Sequence, residues 1–226
     1  MHANVSRELE WKIFIEAAQT LERVGNYEKA VGYLTNAVLA SPENIKWKLW
    51  LIASRLQMLM GQNDKSRETI ERCCYETPQK QMPTALIEYS KHFEMRGEIE
   101  RAREIMDHAK RLSKNEWKTH FEAVMFEIRV GCFRQAEEMV TTSLEVYFAT
   151  GRLWATLIQL QHARAKTKQD FTLVYNTFMQ ALNEIPKSGE VWCEGARLSM
   201  VNNPENPHYN PAQAEKCLEF AIQFTP

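Results

Sequence analysis

The chain has 226 residues, 44% of them hydrophobic and 25% charged, enough apolar material for a sizeable core and too much for a disordered state. Twenty-eight Lys plus Arg oppose 29 Asp plus Glu for a formal charge of -1, which excludes a molecule-wide basic field for nucleic acid or anionic lipid, so any basic partner surface is local. Eight glycines and eight prolines make up about 7% of the chain against a usual share near 12%, which points to an all-helical fold.

A repeat governs the chain order. Gly25, Gly61, Gly97 and Gly131 each precede a small residue by five positions, at Ala30, Ser66, Ala102 and Ala136. Trp11, Trp47, Trp117, Trp154 and Trp192 run in the same phase, and Pro83 stands where a tryptophan is missing. A proline closes four units, at Pro42, Pro78, Pro186 and Pro226. Six units follow, spanning 10–42, 46–78, 82–114, 116–148, 153–186 and 191–226 of a single repeat domain, 1–226. In each, the stretch from the Trp to the Gly carries apolar residues three and four apart, as in Trp11, Phe14, Ala17, Ala18 and Leu21, which predicts an amphipathic helix. The Gly supplies a tight turn. A second helix then buries a stripe such as Ala30, Leu34, Ala37 and Val38, with a small residue where two axes come within about 8 to 10 Å. Such hairpins cover their apolar faces only with neighbouring hairpins, which is the physics of a solenoid.

Three units depart from the pattern. Unit four has Phe148 where proline would stand. Unit five replaces the Gly turn with the polar run from Arg164 to Asp170. Unit six carries an insertion rich in helix breakers, Asn202 to Pro211, which is either slack or a contact element.

On the run Gly97-Glu98-Ile99-Glu100-Arg101-Ala102-Arg103, the pair Ser66-Arg67, and the paired aromatics Trp47 and Trp50, the units resemble half-a-TPR (HAT) repeats; unit one, with Gly25-Asn26-Tyr27, Ala30 and Pro42, resembles an ordinary tetratricopeptide repeat (TPR). The resemblance implies an all-α, right-handed superhelical solenoid of about six helix-turn-helix units, without cofactor and without catalysis. HAT proteins are mostly RNA-processing scaffolds, acting in splicing, 3'-end formation or ribosome biogenesis, so the resemblance implies a nuclear interaction scaffold that holds other proteins, with RNA touched indirectly. The competing implication is a TPR adaptor in chaperone, trafficking or cytoskeletal complexes. The chaperone type calls for Lys and Asn four apart in the first helix, whereas Lys12 is followed at that spacing by Glu16.

Counting the Trp as the first position of each first helix, the second position reads Lys12, Lys48, Thr84 and Lys118; the fifth reads Ile15, Leu51, Ile87 and Phe121; the ninth reads Gln19, Arg55, Lys91 and Met125. In TPR-like folds these positions face a concave groove, as the resemblance implies. An apolar strip of Leu51, Ile87 and Phe121 beside Lys12, Lys48, Arg55, Lys91 and Lys118 suits an extended acidic-apolar peptide. The run Arg164, Lys166 and Lys168, after His162, forms a second basic patch or a solvated loop.

Other candidates read as structure. His2, His92, His108, His120, His162 and His208 show no metal-ligand spacing, and Cys73, Cys74, Cys132, Cys193 and Cys217 contain no CxxC, which predicts no metal and five reduced thiols. Cys73 falls on the stripe of Ala37 and Ala109. Glu98, Glu100, Glu137 and Glu138 read as solvated charge. Phe93, Met106, Phe126, Met139 and Phe178 fall on core stripes. No apolar run approaches the roughly 20 residues of a membrane span and no signal core opens the chain, so an intracellular location is expected. Ending at a repeat boundary suggests a piece of a longer chain. The stripe of Leu218, Ala221, Ile222 and Phe224 in the last helix has no neighbour to follow it, which leaves dimerisation through that end open.

Overall fold

The computed structural model describes residues 7–113 and 116–225; His2 and the closing Pro226 lie outside them. Twelve α-helices and no strand occur among the described residues, and they pair as six successive hairpins. The first three pair α1 (Arg7–Arg23) with α2 (Tyr27–Ala40), α3 (Glu43–Leu59) with α4 (Asn63–Glu76), and α5 (Met82–Met95) with α6 (Ile99–Leu112). The others pair α7 (Trp117–Arg129) with α8 (Phe133–Val146), α9 (Gly151–Arg164) with α10 (Lys168–Glu184), and α11 (Gly189–Met200) with α12 (Pro211–Phe224). The chain divides into two compact halves, Met1–Lys114 and Asn115–Pro226, with three hairpins in each.

The turns work as their glycines predict. Gly25, Gly61, Gly97 and Gly131 have φ of 77°, 73°, 76° and 81°, the left-handed region that a Cβ disfavours. Each lets the next amide reach back to a carbonyl five residues earlier, as Asn26 does to Leu21 at 2.9 Å and Glu98 to Phe93 at 3.0 Å. The glycine amide bonds the carbonyl three residues back, and the orphan carbonyls of the first helix are thereby satisfied. Five residues on, Ala30, Ser66, Ala102 and Ala136 are wholly buried where the two helices of each hairpin meet. Ser66 is tolerated there because its hydroxyl donates to the Ser54 carbonyl of the facing helix at 2.7 Å.

The tryptophans hold the connections. Trp154 Nε1 donates to the Phe148 carbonyl at 2.6 Å, and Trp192 Nε1 donates to the Pro186 carbonyl at 2.8 Å. The carbonyl, not the proline ring, is what the indole needs, which is why Phe148 can replace proline. Trp154 and Trp192 stand three residues inside helices that open at Gly151 and Gly189, so these helices begin two residues before the expected boundaries.

In the first half, α1 to α3 bury Ala18, Leu34, Ala37, Leu49 and Leu56 together, and α3 to α5 bury Trp47, Ile70, Cys73 and Ala85. In the second half one cluster runs from Val124 to Cys217 and includes Trp154, Phe171 and Phe178. Phe93, Met106 and Phe126 are core, as expected, while Met139 is half-buried.

The departures have physical explanations. At unit five Thr167 caps α10: its hydroxyl accepts from the Asp170 amide while Asp170 accepts from the Thr167 and Lys166 amides at 2.9 and 3.0 Å. This capping box satisfies the first amides of α10 where no glycine turn precedes it. The unit-six insertion is pinned, not slack. Buried Asn206 donates through Nδ2 to the Leu198 and Val201 carbonyls at 2.8 and 3.0 Å and accepts from the His208 amide, and the His208 ring stacks on Tyr175 with centroids 4.0 Å apart.

Candidate functional site

In the first half, the predicted groove residues fall on α1, α3 and α5. Lys12 and Lys48 are exposed, each with its ammonium 5.5 Å from the ring of the preceding tryptophan, Trp11 and Trp47. Arg55 instead bonds Glu22 of α1 at 2.7 Å, and Lys91 bonds Glu88 one turn earlier at 2.9 Å. Two of the four cations on this half are therefore already partnered by carboxylates. Leu51 and Ile87 are half-buried, and Leu51 packs on the cluster around Trp47 and Ile70. What this face offers is Lys12 and Lys48 as uncompensated charges beside partly open apolar side chains.

The second half contains Lys118 and Phe121. Phe121 packs edge-on against Trp117 with centroids 6.1 Å apart and lies against the core, half-buried. Lys118 is exposed and lines a cleft of about 500 Å³ with Trp117, Ala149, Thr150, Gly151, Arg152 and Glu190. A second cleft of about 310 Å³ shares Ala149 and Gly151 and continues along Ile185, Pro186, Lys187 and Ser188. The floor is built by the tryptophan bonds described above, because they hold the segments leading into α9 and α11. The connections come very close at Gly151: a Cβ there would stand 2.3 Å from Ser188 Oγ and 2.9 Å from Glu190 Oε2. Arg152 Nε donates to Glu190 Oε1 at 3.0 Å. The first cleft thus sets Lys118 and Arg152 against Glu190 and the second adds Lys187, so the two together carry two positive charges in excess. Arg152, Lys187 and Glu190 have no part in the groove alignment; Arg152 and Glu190 stand in the first turns of α9 and α11, two residues before Trp154 and Trp192, and Lys187 lies in the connection that leads into α11.

The second basic patch has its three cations exposed and one of them compensated. Arg164 pairs with Glu137 of α8, Lys166 gives its amide to Asp170, and Lys168 opens α10. Glu137 is accordingly not a freely solvated carboxylate, and neither is Glu98, which pairs with both Arg96 and Arg101.

Buried polar groups occur on both halves. His92 is 1% exposed with Nδ1 at 3.3 Å from Ser66 Oγ and Nε2 without a protein partner, and burial holds its pKa below the usual histidine value. Burial pushes the Glu194 carboxyl up, opposed by the Gln159 amide at 2.7 Å and by Arg197. Burial also pushes the thiols of Cys73 and Cys74 up, to about 11 and about 12, the opposite of an activated nucleophile. Cys73 is buried on the stripe that Ala37 and Ala109 occupy elsewhere. No group of three or more metal-ligating side chains occurs among the described residues. Among them, too, no helix is long and apolar enough to cross a membrane.

The whole chain, residues 1–226, matches the family model described as PRP6, TPR-like domain. The chain belongs to that family. This PRP6-type TPR-like chain is 39% identical over 222 residues to a TPR-containing protein of Dictyostelium discoideum. That alignment takes in 98% of the chain but only 16% of the relative's length. The fold is similar to that of pilF from Pseudomonas aeruginosa, with a TM-score of 0.53 at 12% identity over 97% of this chain and 90% of that one. It is similar again to the C-terminal part of a TPR repeat-containing protein from Cytophaga hutchinsonii, with a TM-score of 0.56 at 13% identity over 93% and 78% of the two chains. These likenesses establish a TPR-like helical repeat.

Proposed function

We propose that this PRP6-type chain is a non-enzymatic scaffold of an RNA-processing assembly, acting in the nucleus, and that it holds protein partners through acidic-apolar segments. The observation that carries this reading is the match of all 226 residues to the PRP6 TPR-like domain, together with the HAT-like run around Gly97. The chemistry of the surface agrees with it. Each half carries exposed cations and half-buried apolar side chains, Lys12 and Lys48 with Leu51 and Ile87 on the first and Lys118 with Phe121 on the second, a pairing in which charge steers arrival and apolar contact sets residence time. Burial raises the thiols of Cys73 and Cys74, the opposite of an activated nucleophile.

Affinity purification of the tagged chain from cell extract, with and without nuclease, tests the assignment. Splicing, 3'-end or ribosome-biogenesis proteins that stay bound after nuclease treatment support it. Recovery of chaperones, vesicle coats or cytoskeletal proteins in their place moves the chain to the adaptor class, and loss of every partner with nuclease makes RNA the bridge.

A further inference from the structure

We propose that the double cleft around Gly151 is a receptor for an acidic side chain, carboxylate or phosphomonoester, carried by a partner polypeptide; this deepens the scaffold reading and rests on it. Three observations on the second half meet there. The two clefts share Ala149 and Gly151 in their linings and have volumes of about 500 and 310 Å³, room for an acidic side chain together with the residues that flank it. Lys118, Arg152 and Lys187 line them against the single carboxylate of Glu190, whereas the chain as a whole carries a charge of -1. The excess is therefore local to this cleft. Arg152 is already oriented by its 3.0 Å bond to Glu190, so one donor fork is held in place before a ligand arrives. Trp117 at one end and Ile185 and Pro186 at the other give apolar contact to residues flanking the anion.

A polypeptide suits this cleft better than RNA. Nucleic-acid affinity grows with the number of phosphates neutralised, and two uncompensated cations release few counterions. One carboxylate or phosphomonoester, in contrast, is matched in charge by the excess that Lys118, Arg152 and Lys187 hold over Glu190.

The test uses the full chain and fluorescence anisotropy with four labelled probes: a leucine-glutamate repeat peptide, the same peptide with phosphoserine for glutamate, the same with glutamine, and a short oligouridine. The acidic peptides should bind at least tenfold more tightly than the glutamine peptide, and the tighter of the two identifies the source of the anion. Lys118→Glu and Lys187→Glu should each weaken acidic binding by roughly tenfold and flatten its salt dependence. Lys65→Glu, an exposed change on α4, should leave it unaltered. Equal binding of the glutamine peptide, no binding of any peptide, or unchanged affinity in both cleft variants overturns the proposal. So does tighter binding of oligouridine that Lys118→Glu abolishes, which would make the cleft a nucleic-acid site. A Lys118→Glu, Lys187→Glu double variant that keeps its RNA-processing partners in the purification overturns the cleft and leaves the scaffold standing; loss of such partners from the parent chain overturns the scaffold itself.

Discussion

Trp154 and Phe148 are joined by a 2.6 Å hydrogen bond from the indole N–H to the backbone carbonyl, and Trp192 makes the same contact with Pro186 one repeat later. Trp154 lies in the core and Trp192 packs half-buried against it, while their N–H groups lock the segments that lead into α9 and α11. Those segments floor the cationic cleft, so a core residue also sets the geometry of a surface site. Trp154→Phe keeps most of the apolar volume and removes only the donor. It should lower stability by about 1 kcal/mol, read as a shift of the urea midpoint at constant slope, and should increase amide exchange over residues 147–150.

Two glycine substitutions should move stability in opposite directions. Gly97 has φ of 76°, and Gly97→Ala should cost about 1–2 kcal/mol because the Cβ meets the backbone in the left-handed region. Gly32 lies within α2 with open space around its Cα, so Gly32→Ala should stabilise by about 0.5–1 kcal/mol through the lower entropy of the unfolded chain. Thermal melts of both variants against the parent check the pair.

Asn206 should be the keystone of the insertion. Its amide is 5% exposed and closes the C-terminal end of α11 through two carbonyls. Asn206→Ala leaves both without that donor and should cost about 1–3 kcal/mol. Hydrogen exchange should speed up across 202–210 and leave the first half unchanged.

Acidification should destabilise the fold through its buried histidines. Burial holds His92 below its ordinary value of 6.5, as it does His162 and His208. Between the folded value and 6.5 the unfolded chain binds more protons, so stability rises with pH there and is lost as pH falls through about 6.5. Glu194 works in the opposite sense: its folded value is raised above 4.5, so its contribution declines as pH rises through that interval. Urea midpoints measured from neutral pH downward should show the loss, and His92→Gln should flatten the slope near pH 6.5 relative to the parent.

The hairpin architecture was legible in the sequence because its determinants are local. A glycine followed five residues later by Ala30 or Ala102 encodes a left-handed turn and a close helix crossing, and both are properties of a few adjacent residues. Lysines 12, 48 and 118 could be placed at one helix position for the same reason. Tertiary structure alone decided which charges remain available. Arg55 meets Glu22 and Arg164 meets Glu137 across different helices, removing two expected groove or patch cations, and no periodicity within one helix encodes those partners. The cleft was equally invisible, since Lys118, Arg152 and Lys187 come from separate repeats at non-equivalent positions, and the segments leading into α9 and α11 are held by indole bonds to backbone carbonyls that no helical period encodes. Helical periodicity specifies which face of a helix is buried, whereas helix starts and the loops before them take their positions from packing, and it is the starts of α7, α9 and α11 with the loops leading into α9 and α11 that gather this site.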